Sequence, residues 1–225
     1  MNTPYLRPAG TSATSTRKSG KVLPMPNFNN KSKSAYNKKA DNYDDTFDGR
    51  FTQKFKRLLV SEIELPEKSN VLDIACGNGS LLAKLNEKMS INGFGVDISN
   101  RMIEIASAKN PGMEFHAADC EAIPFADSSM DVITVCAAYH HFPNAAAFAR
   151  EARRVLKPLG RAYVAEIHLP FLLRLAVNPF VPLSKAGDVK FYSPKEIACN
   201  FERFGFDSAD IKIFGHVQIM SVRKI

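Results

Sequence analysis

The chain has 225 residues, of which 45% are hydrophobic, and carries a formal net charge of +7. This is sufficient for one domain with a substantial core, and no apolar run approaches the roughly eighteen residues that a membrane-spanning helix needs. Residues 1–40 contain eight of the 30 Lys and Arg residues and no acid, which leaves 22 basic and 23 acidic residues elsewhere. Because the globular part is nearly neutral, its charge argues against a nucleic-acid partner.

Residues 1–34 are rich in Ser, Thr, Pro, Lys and Asn and lack apolar periodicity, so we predict a disordered basic tail. Three explanations of this tail stay open: a solvated tail without a role, an organellar transit segment, or translation that begins at Met25. The N-terminus lacks the apolar core of a secretory signal. The four cysteines are widely spaced, which predicts reduced thiols in a cytoplasmic protein.

The predicted domain covers residues 35–225 and begins with a helical region at 36–64. Tyr36 and Tyr43 come first, and apolar residues then recur at nearly every third or fourth position. Pro66 ends the region. This periodicity predicts a helix with one face packed on the rest of the domain.

From residue 70 onward, strand-like and helix-like segments alternate, which predicts a parallel sheet with helices on both faces. The predicted strands cover residues 70–74, 92–96, 113–116, 131–136, 161–167, 208–214 and 216–223. The predicted helices cover residues 80–89, 100–109, 144–156 and 194–204. Ser99 and Asn144 are the predicted N-caps of the second and third of these helices.

Residues 168–192 interrupt this alternation with an apolar segment that contains several prolines. The segment follows the fifth strand, at the edge of the sheet where ligands bind in open α/β folds. We therefore predict a substrate lid here. A short core helix with a connecting loop is the alternative.

A glycine-containing turn follows the first predicted strand. Asp73 lies near the end of this strand, Gly77 and Gly79 form a tight turn, and a helix begins at residue 80. A strand, a glycine turn and a helix N-terminus together form a cleft that admits a nucleotide-like ligand closely. Asp97 ends the next strand, near the spacing at which an acid binds ribose hydroxyls. These features predict a nucleoside cofactor.

The turn does not fit a dinucleotide or a nucleoside triphosphate. A dinucleotide fingerprint needs a third glycine three residues after the second, and Leu82 occupies that position. The chain also has no Gly-Lys-Ser/Thr sequence of a phosphate-binding loop. A cofactor without phosphates is therefore favoured.

The order of these motifs resembles the class I S-adenosylmethionine-dependent methyltransferases, in the small-molecule branch that includes enzymes of ubiquinone and menaquinone biosynthesis. Ala75 replaces the first glycine of that family's Asp-x-Gly-x-Gly-x-Gly motif. The matching blocks are residues 73–79, 95–99, 118–125, 130–135, 140–142 and 155–161. The resemblance implies a Rossmann-like, doubly wound sheet of seven mostly parallel strands, with helices on both faces and a final antiparallel strand. It also implies S-adenosyl-L-methionine as cofactor and S-adenosyl-L-homocysteine as product.

The resemblance assigns cofactor-binding roles to residues along the strand ends. Asp73 and the turn would meet the methionyl end, Asp97 the ribose hydroxyls, and Asp119 the adenine amino group. The complete predicted cofactor set is Tyr36, Tyr43, Asp73, Ala75, Gly77, Gly79, Asp97, Ile98, Met102, Asp119, Cys120 and Cys136. Packing roles remain the alternative for Tyr36 and Tyr43.

His141 and His140 follow the fourth strand, where the transferable methyl group should lie. An imidazole accepts a proton from a phenol, an enol or an acidic carbon, so His141 is the first candidate for catalysis and His140 the second. The alternative is structural, with one histidine near a helix end and the other packed. No His, Cys and Asp spacing resembles a metal site, so no metal is predicted.

The predicted function is methyl transfer to O, N or C of a small, apolar or aromatic acceptor. Two alternatives stay open: a methyltransferase that modifies transfer RNA, aided by the basic tail, and a non-catalytic cofactor-binding module. The sequence does not determine the acceptor or the oligomeric state.

Overall fold

A seven-stranded sheet forms the centre of the protein, with strand order β3-β2-β1-β4-β5-β7-β6. The computed structural model describes residues 28–225. The strands are β1 Asn70–Ile74, β2 Asn92–Asp97, β3 Glu114–Ala117, β4 Met130–Cys136, β5 Leu156–Ile167, β6 Asp210–Phe214 and β7 Val217–Arg223. β7 runs antiparallel to both of its neighbours, β5 and β6, and the other strand pairs are parallel. The predicted fold class is confirmed.

Seven α-helices accompany the sheet in the described residues. They are α1 Phe28–Lys39, α2 Phe47–Glu62, α3 Ser80–Met89, α4 Asn100–Lys109, α5 Ala145–Val155, α6 Phe171–Val177 and α7 Pro194–Glu202. Short 3-10 helices lie at Ala40–Asp45, Tyr139–His141 and Val181–Leu183. None of the helices between residues 28 and 225 is long and apolar enough to cross a membrane.

The hydrophobic core has two parts, one on each face of the sheet. Successive side chains of a strand point to opposite faces, so Leu72 of β1 packs in one part and Val71 in the other. The first part includes Phe148 of α5, and the second includes Leu59 of α2. This two-sided burial explains why the central strands read as nearly continuous apolar runs.

The predicted N-caps occur where the sequence placed them. The Ser99 hydroxyl accepts a hydrogen bond from the Met102 amide at 3.2 Å, and the Asn144 side chain accepts one from the Ala147 amide at 3.0 Å. The predicted helical region at 36–64 is not one continuous helix. It contains the end of α1, a 3-10 helix at Ala40–Asp45 and then α2. Thr46 caps a new helix there by accepting a hydrogen bond from the Gly49 amide.

The predicted tail boundary at residue 34 is wrong, because α1 already begins at Phe28. Polar side chains hold this helix on the domain: the Ser32 hydroxyl donates to the Ala186 carbonyl, and the Ser99 hydroxyl lies 2.6 Å from Asn37 Oδ1. Because these contacts are polar, the sequence of α1 shows no periodic apolar residues from which the helix could be predicted. The remainder of the predicted tail, residues 1–27, and the possible start at Met25 lie outside the described residues.

Gly95 should be sensitive to a single added methyl group. A Cβ at Gly95 would lie 2.7 Å from Phe115 Cε1 and 2.8 Å from Cys76 Sγ, whereas a Cβ at Gly112 would meet no atom within 4 Å. We expect Gly95→Ala to lower the free energy of unfolding by about 1–3 kcal/mol, because the core cannot absorb the extra volume. Urea denaturation measures this change. Gly112→Ala is the matched control, and equal stability of the two variants would contradict the packing argument.

Candidate functional site

A cleft of about 740 Å³, open to solvent, lies at the carboxyl ends of β1, β2 and β4. Its size is that of a typical small-molecule site. The strands supply its floor, and α1 with the following 3-10 helix supplies a wall. Its lining residues are Asn29, Ser32, Tyr36, Tyr43, Ile74, Ala75, Gly77, Val96, Asp97, Ile98, Met102, Ala118, Asp119, Cys120, Cys136, Ala137, Ala138, His141, Phe142 and Pro143.

The turn after β1 contains three residues with positive φ: Ala75 at 56°, Gly77 at 53° and Gly79 at 76°. Gly77 lines the cleft, and a Cβ there would enter open space, so the backbone is free to meet a ligand closely. Ala75 also lines the cleft, although the left-handed conformation costs an alanine roughly 1 kcal/mol.

Gly79 has a different environment from Gly77 and does not line the cleft. A Cβ at Gly79 would lie 2.7 Å from Asn110 Nδ2 and 3.2 Å from Phe115 Cζ. Gly79 is also the N-cap residue of α3. Its place in the structure therefore reflects close packing beside α4 and β3, whereas the sequence prediction gave it a direct cofactor contact.

The buried Asp97 carboxylate joins the glycine turn to the end of β2. It accepts hydrogen bonds from the Gly77 amide and the Ser99 amide, both at 2.8 Å. Burial raises the pKa of Asp97, and the amide donors oppose this change. Each carboxylate oxygen has a second lone pair, so Asp97 can still accept hydrogen bonds from hydroxyl groups in the cleft.

Asp73 lies beneath the cleft and does not line it. Its side chain is buried, with 2% exposure, and accepts a 2.7 Å hydrogen bond from the Thr134 hydroxyl on β4. Burial raises the pKa of Asp73 to about 7, although the Thr134 hydrogen bond acts in the opposite direction. The structure therefore places this predicted residue between two strands rather than on the cleft wall.

The far end of the cleft is built from the residues that follow β2 and β3. Ile98, Met102, Asp119 and Cys120, which the sequence analysis assigned to cofactor binding, all line it. The Asp119 carboxylate accepts hydrogen bonds from the Glu121 amide at 3.0 Å and from the Asn29 side chain at 2.5 Å. The sequence analysis missed Asn29, because it assigned this residue to the tail.

Two tyrosines form the aromatic wall opposite the turn. The rings of Tyr36 and Tyr43 lie 6.2 Å apart, and Tyr36 Oη is 2.9 Å from His141 Nε2. Burial raises the pKa of Tyr36, and it raises that of Tyr43 to about 12. Both phenols are therefore protonated near neutral pH and offer hydrogen-bond donors and π faces to the cleft.

The two predicted catalytic histidines occupy different environments. His141 lines the cleft, whereas His140 lies behind it, with Nδ1 3.0 Å from both oxygens of the buried Glu166 carboxylate. Burial opposes protonation of His140, but Glu166 raises its pKa. Burial and the neighbouring His140 lower the pKa of His141, and Asp188 only partly offsets this.

Asp188 reaches these histidines from the segment 168–192. Asp188 Oδ1 is 2.9 Å from His141 Nδ1 and 3.6 Å from His140 Nε2. Burial would raise the pKa of Asp188, but the two histidines and Ser184 lower it to about 2. None of the residues of this segment lines the cleft in the described chain, so its predicted role as a lid stays a prediction.

The wall after β4 consists of small and apolar residues. Cys136, Ala137, Ala138 and Phe142 line it next to His141. Burial raises the pKa of the Cys136 thiol, and the carboxylate of Asp73 adds to this. The thiol therefore stays protonated and acts as a small apolar surface.

Known proteins resemble this chain in sequence and in fold. A family model described as a methyltransferase domain matches residues 72–164. A demethylmenaquinone methyltransferase of Chlorobaculum parvum is 36% identical over 109 residues, which cover 48% of this chain and 45% of that protein. The corresponding enzyme of Thermotoga maritima is 37% identical over 124 residues, which cover 54% and 53% of the two chains. This chain thus spans about half the length of the curated relatives that it matches.

Residues 72–164 of this chain are thus similar to a methyltransferase domain. Solved structures share its fold. The YcgJ protein of Bacillus subtilis has a TM-score of 0.66 at 20% identity, covering 76% of this chain and 98% of that chain. A SAM-dependent methyltransferase of Aquifex aeolicus has a TM-score of 0.65 at 20% identity, covering 84% and 98%.

The cleft fits a cofactor that has carboxylate, ammonium and ribose groups but no phosphates. Within residues 28–225, no Lys or Arg lines the cleft, whereas Asp97 and Asp119 do. Asp97 is suited to hydroxyl donors, and the two tyrosine faces are suited to a cationic sulfur. The open space beside Gly77 admits the ligand close to the backbone. These features match S-adenosylmethionine and disfavour a dinucleotide.

Asp73 should make the stability of this protein depend on pH. Its folded-state pKa of about 7 exceeds the ordinary value of 3.8, so its favourable contribution is complete below about pH 4 and is lost as the pH rises through 7. The free energy of unfolding of Asp73→Asn relative to the native chain should therefore increase with pH in this window. The limiting slope is about 1.4 kcal/mol per pH unit.

Denaturant unfolding of both proteins across this pH range tests the expectation. Thr134→Val removes the donor that lowers the pKa of Asp73, so the transition in that variant should shift to higher pH. A difference between Asp73→Asn and the native chain that does not change with pH would contradict the burial argument.

Proposed function

We propose that this protein binds S-adenosylmethionine in the cleft and transfers its methyl group to O, N or C of a small, apolar or aromatic acceptor. The observation that carries this proposal is the composition of the cleft. Two carboxylates, a glycine turn and two tyrosines line it, and no Lys or Arg of residues 28–225 does. The match of residues 72–164 to a methyltransferase domain supports the same conclusion.

Each end of the cleft suits one part of the cofactor. Asp97 accepts hydrogen bonds from the ribose hydroxyls while it holds the Gly77 amide. Ile98 and Met102 pack on the adenine, and Asp119 accepts from its amino group. Gly77 and Ala75 meet the methionyl end, for which Asp73 acts indirectly, by fixing β1 against β4 through Thr134.

The acceptor occupies the apolar wall after β4, between Ala138, Phe142 and the tyrosines. The cofactor supplies an activated methyl group, so the protein has to align the acceptor and exclude water. His141 is a polar group on this wall, and Tyr36 Oη and Asp188 Oδ1 each lie 2.9 Å from one of its ring nitrogens. We assign it the task of orienting the reactive atom of the acceptor, with His140 in support behind it.

An aromatic acceptor of the quinol type fits this proposal. The relatives from Chlorobaculum parvum and Thermotoga maritima are named demethylmenaquinone methyltransferases. The cleft wall next to His141 combines aromatic and small apolar residues, which suits a flat ring that bears one or two hydroxyl groups.

Thermal shift with S-adenosylhomocysteine tests the cofactor assignment. The product should raise the melting temperature of the native chain, and Asp97→Asn should abolish most of this rise, because a neutral amide loses charge-assisted hydrogen bonds to the ribose. Asp210→Asn, an exposed change on β6, should leave the rise intact. An undiminished rise in Asp97→Asn would refute the ribose assignment. A rise with NADH instead would refute the cofactor.

Turnover of His141→Ala tests the acceptor side of the cleft. We expect roughly a 10²-fold lower rate of methyl transfer, because the acceptor loses its orienting group, while S-adenosylhomocysteine affinity stays within a few-fold. The rate is measured with methyl-labelled cofactor and a panel of quinols and phenols, and products are identified by mass spectrometry. His116→Ala, outside the cleft, is the control. Equal turnover would remove His141 from the reaction.

The same assay separates the proposal from a non-catalytic binding module, for which labelled methyl groups would remain on the cofactor with every acceptor tested. A metabolite extract extends the panel beyond quinols. Label that appears in transfer RNA and falls steeply with salt would indicate the nucleic-acid alternative.

We also propose a cytoplasmic location. All four cysteines of the chain, Cys76, Cys120, Cys136 and Cys199, are free thiols. Reduced thiols are typical of proteins in a reducing compartment, which supports this location.

A further inference from the structure

Three side chains that are distant in the sequence bring ligand atoms together beside the cleft. His140, His141 and Asp188 each offer one ligand atom, and these atoms all lie within 4.8 Å of one another. Asp188 Oδ1 is 3.6 Å from His140 Nε2 and 2.9 Å from His141 Nδ1. Two ligand atoms that each lie about 2.0–2.2 Å from the same ion are separated from each other by distances like these two. We propose that these residues bind one divalent transition-metal ion.

The second ring nitrogen of each histidine already has a partner of the type found around metal sites. His140 Nδ1 lies 3.0 Å from both oxygens of Glu166, and His141 Nε2 lies 2.9 Å from Tyr36 Oη. Metal-bound histidines usually use the nitrogen that does not bind the metal in this way, which fixes the ring and its tautomer. The nitrogens directed at the shared centre are therefore the ones that remain for an ion.

His141 Nδ1 is a buried polar atom without a hydrogen-bond partner in the described residues. Asp188 Oδ1 is close enough at 2.9 Å, but the two groups are not aligned for a hydrogen bond. A buried polar atom without a partner is costly. An ion between the three ligands would satisfy this nitrogen without the alignment that a hydrogen bond requires.

Charge in the cluster also favours a divalent cation. Glu166 is fully buried and Asp188 is partly buried, so two carboxylates share a region of low solvent access. Two neutral imidazoles with a divalent ion would balance their charge. Buried charges are stable when they are paired or bind a metal.

The ligand set indicates the class of metal. Two imidazoles and one carboxylate suit Zn²⁺, Co²⁺ or Fe²⁺, whereas Mg²⁺ and Ca²⁺ prefer oxygen ligands throughout. Three protein ligands also leave coordination positions open. Because His141 lines the cleft, an open position is available to a molecule bound there.

The use of the ion rests on the proposed function, although its binding does not. A hydroxyl oxygen of the acceptor can coordinate the ion and release its proton to solvent, which leaves a more nucleophilic oxygen, or an electron-richer ring, for the methyl group. His141 would then orient the acceptor through the ion. A backbone hydrogen bond holds Asp188 near the histidines: the amide of the next residue, Val189, donates to the His140 carbonyl at 2.7 Å.

Isothermal titration of the metal-free chain with zinc chloride tests the site without cofactor or acceptor. We expect one ion per chain, and at least about 100-fold weaker binding in Asp188→Asn. Glu166→Gln should weaken binding by about 10–100-fold, because it removes the partner of a ligand. His168→Gln, a histidine outside the cluster, should bind as the native chain does. Absence of binding in the native chain, or equal binding in Asp188→Asn, would overturn the site.

Protection from chemical modification tests the same site in the native chain, in case the variants do not fold. Zinc should slow the reaction of diethyl pyrocarbonate with the peptide that contains His140 and His141, but not with His168, as read by mass spectrometry. Equal reactivity with and without zinc would overturn the proposal. If the native chain does not bind zinc but shows the thermal shift with S-adenosylhomocysteine, the metal site alone is refuted. If it binds zinc but shows no such shift, the proposed function alone is refuted.

Discussion

The hydrogen bonds of the Asp97 carboxylate are the interaction on which the geometry of the site depends. One oxygen binds the Gly77 amide and the other binds the Ser99 amide. The carboxylate thereby connects the turn after β1 to the start of α4 and fixes the separation of two neighbouring strand ends. Burial of this acid is unfavourable by itself, and the two amide donors offset that cost.

The wall formed by α1 depends on the same strand ends. Asn37 Oδ1 lies 2.6 Å from the Ser99 hydroxyl, and the Asn29 side chain donates to Asp119. Tyr36 extends the contact to His141. Nearly all of these contacts are polar and join residues far apart in the chain, so the helix is positioned by hydrogen bonds to the cleft rather than by a deep apolar face.

The sheet and most of the cleft could be predicted from the sequence because their signals are local. The apolar run around Leu72, the glycines after it and the capping Ser99 each determine their own neighbourhood. The position of Asp188 could not be predicted, since its contact with His141 depends on the path of the segment 168–192. Gly79 shows a second limit: its motif indicated a ligand contact, whereas its surroundings show close helix packing. The helix α1 was missed because its contacts are polar and have no period.

The φ of 56° at Ala75 restricts which residues can replace this alanine as the sequence evolves. The left-handed region is open to glycine, costs alanine roughly 1 kcal/mol and is much less accessible to β-branched side chains. Variation at this position is thus restricted by backbone chirality before any ligand selects among variants. Drift toward β-branched residues would carry a cost in folding stability, even in a lineage that had stopped using the cleft.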